Sequence, residues 1–319
     1  MARFLPRPTF VAGVDLGGTW LRVGLAGPDG EVRHRARART AAAEGPSGVL
    51  TQIDGLVREV VSAEPQAHLS SLVLAIGVPG PVDSGQGVVE GAPNLPGWAR
   101  VPVRDRLERM LGCRCLIEHD ANLGALAEHR RGTGRGTQDF VYVTVSTGIG
   151  AGLILGGQLY RGHRGSAGEF GHMVIVPDGP LCNCGNRGCL EAISSGTAIA
   201  RAAGVSSAFE VGRLAAAGDL SAQELLGRAA RYVGLALGGL INLLNPEAVA
   251  VGGGVLASSP KFWADVLAGI SDASFPSVRG TCRVERAALG EEQGLLGAVE
   301  LGLDYARRSA VPVAEVALP

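Results

Sequence analysis

Gly168–Glu191, with the sequence GEFGHMVIVPDGPLCNCGNRGCLE, gathers the metal-ligating side chains of this chain into one short, loop-rich stretch. Zinc prefers four nitrogen and sulfur ligands, and a closed set of four leaves no position for water. Gly185 and Gly188 let the backbone turn tightly enough for three sulfurs to reach one ion. The spacing therefore predicts a structural zinc site made of His172, Cys182, Cys184 and Cys189.

Two alternatives to zinc remain open for these cysteines: buried free thiols, or a disulfide. A disulfide between Cys182 and Cys184 would be strained at so short a spacing. Two carboxylates, Glu169 and Glu191, flank the cluster. A bound zinc would fix both of them in space, which makes them candidates for binding a polar ligand.

The composition of the chain limits the classes of function. With 319 residues, 46% of them hydrophobic, the chain is long enough for two domains with substantial cores. A net charge of −1 gives no general attraction to nucleic acid or to an anionic membrane surface. Neither a signal-peptide-like segment nor a membrane-spanning apolar run is evident. We therefore expect a cytoplasmic protein without nucleic-acid or membrane partners, in a compartment that keeps cysteines reduced.

Two stretches, residues 10–26 and 140–155, share one pattern: a turn rich in glycine and threonine between two apolar strands. The first turn contains Gly17-Gly18-Thr19 and follows Asp15, and the second is Ser146-Thr147-Gly148-Ile149-Gly150. Backbone N–H groups in such turns can approach a phosphate, and an adjacent carboxylate can hold hydrated magnesium. A plain turn is the alternative. The repetition indicates an internal duplication.

Asp120 lies between an expected strand at 116–117 and an expected helix at 121–130. An N-cap of that helix is the ordinary role for an aspartate in this place. The functional alternative is a general base, because α/β sheets place ligands at the carboxyl ends of their strands.

Other parts of the chain carry weaker signals. The rigid, turn-rich residues 91–98 could contact a sugar or nucleoside, although a connector is the alternative. Residues 222–244 have the apolar spacing of a long helix, and residues 294–307 that of a second one. The glycines of 252–254 follow a strand at 248–251 and precede an expected helix, a position where phosphate can meet a helix N-terminus.

Taken together, both turns, Glu169-Phe170-Gly171-His172 and the cysteine run resemble the ROK family of sugar kinases and repressors. The resemblance covers nearly the whole chain, and the cysteine run is its most specific part. It implies an α/β, two-lobed actin/hexokinase-like (ribonuclease H-like) ATPase fold with duplicated mixed β-sheet domains and a zinc loop. The first lobe would be 1–118, with a C-terminal helix at about 294–319 returning to it. The second would be 119–293.

The resemblance also implies an enzyme that moves the γ-phosphoryl group of ATP to a sugar hydroxyl, with Mg²⁺ on the phosphates. Asp120 would be the general base. The residues implied for the sugar are Asn94, His119, Asp120, Glu169, His172 and Glu191. The residues implied for the nucleotide are Asp15, Gly17, Gly18, Thr19, Thr147, Gly148, Gly253 and Gly254.

The chain departs from the family pattern at His119, where the family usually has asparagine. Imidazole can still donate to a sugar oxygen, but it can also carry charge. Repressor members have a DNA-binding segment before the first turn, and only fourteen residues precede Asp15 here. The resemblance therefore favours a kinase, with a non-catalytic sugar sensor as the less favoured class.

The expected sugar is glucose, because the segments at 167–172, 176–179 and 195–198 resemble those of bacterial glucokinases most. The runner-up is another hexose or an N-acyl-hexosamine such as N-acetylmannosamine. The family likeness and the long apolar stripe of 222–244 predict a homodimer. The alternative for the stripe is the core of the second lobe.

Overall fold

The structure is a computed structural model that describes residues 10–92 and 94–310. The chain divides into two compact units. The first comprises the described residues up to Ala127, His163–Ser166 and those from Glu291 onward. The second comprises Glu128–Gly162 and Ala167–Gly290. The expected boundary at 118 lies nine residues before this one, because Leu123 packs against Gly77 and Gly297 of the first unit.

The first unit is built on a five-stranded sheet of order β3-β2-β1-β4-β8. The first three strands are antiparallel, whereas β4 and β8 run parallel to β1. A second, smaller sheet has the order β5-β6-β7. The strands are β1 Phe10–Leu16, β2 Trp20–Ala26, β3 Val32–Arg39, β4 Leu72–Val78, β5 Val82–Asp83, β6 Val88–Gly91, β7 Ala99–Val101 and β8 Arg114–His119.

Helices cover both faces of the first sheet. They are α1 Gly45–Ser62, α2 Val103–Leu111, the start of α3 Asp120–Arg131, and α10 Gln293–Ala310. Helix α10 approaches β1 closely enough that a Cβ on Gly13 would lie 2.8 Å from Val299 Cγ2. The missing side chain therefore lets the last helix of the chain lie against the first strand. Residues 311–319 of the expected helix 294–319 lie outside the described residues.

The second unit is built on a sheet of order β11-β10-β9-β12-β13. Its strands are β9 Phe140–Val145, β10 Ile149–Leu155, β11 Gln158–Tyr160, β12 Ala248–Gly252 and β13 Arg283–Arg286. Its remaining helices are α4 Leu190–Ser194, α5 Gly196–Ala203, α6 Ala208–Ala216, α7 Leu220–Leu244, α8 Pro260–Ala273 and α9 Pro276–Arg279.

The two large sheets have the same topology, since β9, β10 and β11 form antiparallel pairs and β12 and β13 continue in parallel. Strand pairs β1–β2 and β9–β10 occupy the same places in the two orders. The predicted α/β fold with duplicated mixed sheets is therefore confirmed.

Helix α7 has clear start and stop signals. The side chain of its N-cap, Asp219, accepts a hydrogen bond of 2.9 Å from the Ala222 N–H. The helix ends where Asn245 adopts the left-handed conformation, with φ 44°, before Pro246. Most of its apolar stripe, including Leu226, Val233 and Leu237, is buried in the core of the second unit. The core therefore explains the stripe.

The helix expected after the glycines of 252–254 is present as α8, but it does not follow them directly. Those glycines lead into a four-residue 3₁₀ turn, Gly254–Ala257, and α8 begins only at Pro260. So short a turn does not supply the aligned dipole of a long helix. Among the described residues, no helix is both long and apolar enough to cross a membrane.

Candidate functional site

The predicted zinc ligands lie together in the second unit. The ligand atoms of His172, Cys182, Cys184 and Cys189 all lie within 4.8 Å of one another. The distance from Cys182 Sγ to His172 Nδ1 is 3.6 Å, and Cys184 Sγ and Cys189 Sγ are also 3.6 Å apart. A tetrahedron with zinc–sulfur bonds of about 2.3 Å has edges of about 3.8 Å. The four side chains therefore lie close to the arrangement that a tetrahedral zinc ion requires.

The backbone of the zinc loop depends on glycine, as the sequence predicts. Gly185 and Gly188 have φ of 96° and 72°, values that other residues rarely adopt. A Cβ on Gly188 would also lie 1.5 Å from the Val176 carbonyl oxygen. The Cys182 N–H donates to the Asn186 carbonyl at 2.8 Å and closes the turn. The cysteine positions are thus set by the fold of the loop.

The carboxylates that flank the cluster contact different groups. Glu169 Oε2 lies 3.8 Å from His172 Nε2, the imidazole nitrogen not directed at Cys182. A carboxylate in that position would orient a metal-bound imidazole. Glu191 Oε2 accepts a hydrogen bond of 2.9 Å from the Ile149 N–H. Glu191 therefore joins the end of the zinc loop to the second glycine turn.

The second turn is also held from α5. The Gly196 N–H donates to the Ser146 carbonyl at 2.7 Å, and the Thr197 hydroxyl donates to the Thr147 carbonyl at 2.9 Å. Gly253 has φ 99°, and a Cβ there would lie 2.2 Å from the Val145 carbonyl oxygen. The predicted nucleotide residues Thr147, Gly148 and Gly253 are therefore brought together within the second unit, and Gly254 follows at the start of the 3₁₀ turn.

The first turn places a buried acid beside an arginine. Arg22 Nη1 donates to Asp15 Oδ2 at 2.9 Å, and the side chains are 19% and 16% exposed. Burial raises the pKa of Asp15 from 3.8 to about 6, although the positive charge of Arg22 opposes the rise. Arg22 is not among the site residues predicted from the sequence. The tight hairpin contained the signal, because pairing Leu16 with Leu21 places residue 22 opposite Asp15.

Other predicted residues of the first unit cluster around this turn. The Gly17 N–H donates to the Trp20 carbonyl at 2.9 Å, and the Thr40 N–H donates to the Thr19 carbonyl at 3.0 Å. A Cβ on Gly18 would lie 2.9 Å from Asn94 Cβ. Asn94, implied for the sugar, thus lies against a turn implied for the phosphates. Pro93, within the predicted contact loop 91–98, lies outside the described residues.

Asp120 is the first residue of α3 and follows β8 directly. The carboxylate of Asp120 lies in the first turn of α3. His119 Nε2 lies 3.3 Å from Asp120 Oδ1, and the Asp120 side chain is 49% exposed. The carboxylate is therefore open to a ligand and has an imidazole as its neighbour.

Glu118, which the sequence analysis did not select, is 1% exposed. Its Oε1 accepts hydrogen bonds from the Ser84 hydroxyl, the His119 N–H and Asn122 Nδ2. From the sequence alone, an acid next to Asp120 would be taken for an exposed polar residue. Its place in the apolar strand β8 was the only available signal that it is buried.

A sequence profile of the ROK family matches residues 11–304. This chain belongs to the ROK family. The glucokinase of Thermotoga maritima is 35% identical over 308 residues, which cover 91% of this chain and 96% of that protein. The crystal structure of the ROK hexokinase from Thermus thermophilus matches with a TM-score of 0.85 and 36% identity, covering 94% of this chain and 99% of that chain.

A third ROK protein is the glucokinase of Streptomyces griseus, solved in complex with glucose and AMPPNP. It matches with a TM-score of 0.75 and 30% identity over 92% of this chain and 99% of that chain. Other ROK relatives are named N-acetylmannosamine kinase, including one from Escherichia coli that is 35% identical over 76% of this chain and 82% of its own length. The resemblance stated from the motifs is therefore confirmed at the level of the family.

Proposed function

We propose that this chain is a glucokinase that transfers the γ-phosphoryl group of ATP to glucose and forms glucose 6-phosphate. The observation that carries the proposal is the half-exposed Asp120 carboxylate at the junction of β8 and α3. Relatives named glucokinase, 30–35% identical over about nine-tenths of the chain, support glucose as the substrate.

In the proposed reaction, the sugar hydroxyl oxygen attacks the γ-phosphorus as the bond from that phosphorus to the β–γ bridging oxygen breaks. Asp120 accepts the hydroxyl proton, which is the one acid–base step that phosphoryl transfer to an alcohol requires. His119 Nε2, 3.3 Å from Asp120 Oδ1, would donate to that carboxylate and orient it.

Sugar recognition is assigned to side chains that can accept from or donate to hydroxyl groups. The residues proposed for the sugar are Asn94, His119, Asp120, Glu169, His172 and Glu191. A carboxylate can accept from two hydroxyls at once, which suits vicinal diols. His172 would act mainly as a zinc ligand, because its Nδ1 is directed at Cys182.

Nucleotide binding is assigned to the two glycine turns. Gly17, Gly18 and Thr19 belong to the first unit, and Thr147, Gly148, Gly253 and Gly254 to the second. Asp15 is the residue that would hold Mg²⁺, because one carboxylate together with phosphates and waters is a common magnesium ligand set. Burial raises the pKa of Asp15 more than the positive charge of Arg22 lowers it, and a bound cation would favour the ionised carboxylate. When bound, Mg²⁺ would neutralise charge on the transferring phosphates.

Zinc held by His172, Cys182, Cys184 and Cys189 is proposed to be structural. A cytoplasmic location and a homodimer are also proposed. Leu220 and Leu243, at the two ends of α7, are 77% and 82% exposed and would suit an interface. Light scattering that gives only a species of about the 32.6 kDa chain mass would contradict the dimer.

The direct test of the proposed function is Asp120→Asn, which keeps the size of the side chain but removes the base. We expect kcat for glucose phosphorylation to fall by about 10²–10⁴-fold, the usual contribution of a positioned base. Glucose affinity measured by calorimetry should change far less. The matched control is Asp219→Asn at the start of α7, which should leave kcat unchanged because Asn caps a helix as well as Asp. A folded Asp120→Asn protein that keeps most of its rate would remove Asp120 from the mechanism.

N-acetylmannosamine kinase is the second candidate, because relatives of that name are 34–35% identical to this chain. Steady-state kcat/KM for glucose, N-acetylmannosamine, fructose and allose would separate the two. Glucose should be preferred. A higher kcat/KM for N-acetylmannosamine would replace the proposed substrate and leave the reaction type intact.

A further inference from the structure

Glu118 is a buried acid whose side chain is not needed by the chemistry assigned above. It lies near the end of β8, immediately before His119 and Asp120, and is 1% exposed. Its Oε1 accepts from the His119 N–H at 3.0 Å, from Asn122 Nδ2 at 2.9 Å and from the Ser84 hydroxyl at 3.2 Å. Three donors converge on one carboxylate oxygen.

Burying a carboxylate is costly unless donors surround it, and hydrogen bonds to a charged acceptor are stronger than neutral ones. A backbone N–H and an amide Nδ2 can only donate, so two of the three contacts require an acceptor at this position, and the Ser84 hydroxyl donates as the third. Glu118 is therefore fixed in one geometry, and the groups that donate to it are fixed with it.

Two of these donors flank Asp120 in the sequence. The His119 N–H lies just before it, and the Asn122 side chain lies in the first turn of α3 just after it. Asn122 is itself 1% exposed, and its Oδ1 has no hydrogen-bond partner in the part of the chain that the structure describes. Donation to Glu118 is therefore what anchors the Asn122 amide, and the backbone around Asp120 is held from both sides.

The third donor extends this link to the small sheet of the first unit. Ser84 directly follows β5, which pairs with β6, and β6 ends at Gly91, three residues before Asn94. Asn94 is the proposed sugar contact of this unit. The Glu118 carboxylate thus links the β8–α3 junction, which contains Asp120, to the strands next to the proposed sugar contact Asn94.

We propose that Glu118 is a positioning residue of the phosphoryl-transfer reaction. It holds Asp120 and the Ser84–Asn94 segment in fixed positions relative to each other. It acts through these residues and exchanges no proton with the substrate. This inference rests on the proposed function, because it assigns Glu118 a role only if Asp120 is the base.

The test compares Glu118→Gln and Glu118→Ala with wild type. Glutamine keeps an acceptor oxygen, so kcat should fall only several-fold. Alanine releases the turn, and kcat should fall about 10²-fold, the usual effect of misplacing a reacting group by about 1 Å. KM for glucose should rise, whereas KM for ATP should stay near the wild-type value. Circular dichroism at the assay temperature establishes that each variant is folded.

Glu108→Gln is the matched control. Glu108 Oε1 accepts from the Cys115 N–H at 3.0 Å, at the opposite end of the same strand β8, away from Asp120 in the sequence. Glu108→Gln changes the same chemical group on the same strand. Because Glu108 contacts the end of β8 away from Asp120, kcat should be unchanged. Equal kcat losses in Glu108→Gln and Glu118→Gln would show a general effect of strand stability and overturn the proposal.

A double-mutant cycle with Asp120→Asn provides the decisive readout. If Glu118 acts through Asp120, then adding Glu118→Ala to Asp120→Asn should lower kcat little further, whereas independent effects multiply. Multiplying effects, or a folded Glu118→Ala protein with unchanged kcat, would overturn the positioning role. Failure of the proposed function is distinct, because there Asp120→Asn alone would retain activity. Should Glu118→Ala not fold, Ser84→Ala tests the same link: a higher glucose KM supports it and an unchanged one contradicts it.

Discussion

The two glycine turns have the same strand topology but are stabilised by different acids. In the first unit, Asp15 lies on the strand before the turn and pairs with Arg22 on the strand after it. In the second unit, the strand before the turn, FVYVTV, contains no acid, and the Ile149 N–H donates instead to Glu191, 42 residues further along the chain. Glu191 follows the zinc ligand Cys189 by two residues. One copy thus carries its own acid, whereas the other depends on an acid from the loop that contains the candidate metal ligands.

Metal loss should produce the largest difference between the turns. Cys184→Ser removes one of four ligands, so zinc content should fall from about one per chain to near zero, and unfolding free energy by at least about 4 kcal/mol. Activity should be lost with it, because Glu169 and Glu191 are released. Metal analysis and urea denaturation measure both effects.

Cys282→Ser is the control, since Cys282 lies outside the cluster. It should keep the zinc and the stability. Folded, fully active Cys184→Ser protein without zinc would show that the second turn does not depend on the metal.

Asp15, the buried acid of the first turn, should make the folded protein less stable as pH rises. Because the native pKa of Asp15 is raised from 3.8 to about 6, the folded state binds the proton more tightly than the unfolded state. The resulting stabilisation is present below pH 3.8 and is lost as pH rises through about 6, a change of up to about 3 kcal/mol. Asp15→Asn should abolish this dependence and be at least as stable as ligand-free wild type at neutral pH, while losing kinase activity.

Urea denaturation of both proteins across that pH range measures the difference. A wild-type stability that rises through the same range relative to Asp15→Asn would contradict the assignment.

Removing Glu191, the acid that supports the second turn, should destabilise the protein, in contrast to removing Asp15. Glu191→Ala leaves the buried Ile149 N–H without its acceptor, which should cost about 1–3 kcal/mol. Glu285→Ala, an exposed acid on β13 of the same sheet, should change stability by less than about 0.5 kcal/mol. Equal denaturation midpoints for the two variants would mean that Glu191 does not support the turn.

The smallest contrast lies in the glycines. A Cβ on Gly148 would lie 2.6 Å from Glu191 Oε2, whereas one on Gly17 would lie 3.2 Å from the Trp20 carbonyl oxygen. Gly148→Ala should therefore cost about 1 kcal/mol more than Gly17→Ala, because it displaces the carboxylate. Paired thermal melts measure the difference, and the reverse order would show that the second turn tolerates the displacement.

Features encoded in short stretches could be predicted from the sequence. The zinc ligands lie within eighteen residues of one another, and both hairpins have local turn signals. Helix α7 has a long apolar stripe with a capping residue at each end. In each case the deciding interactions occur between residues close in sequence.

The remaining features depend on contacts between distant residues. Strand β3, VRHRARAR, has arginine at every second position, and its strand state comes from pairing with β2. The contact of Glu191 with Ile149 and the burial of Glu118 have no local pattern, since tertiary packing decides both. The same holds for the close approach of Gly253 to Val145, just before the 3₁₀ turn, because the two residues are far apart in sequence.

The covering of β1 by α10 has a consequence for synthesis. The first unit needs residues from both ends of the described chain, whereas almost all of the second is contiguous from Glu128 to Gly290. On the ribosome, the face of β1 that carries Gly13 and Val11 stays uncovered until the segment after Gln293 has emerged. The second unit can therefore complete its core during translation, while the first must wait until α10 has left the ribosome and exposes apolar strand surface in the interval.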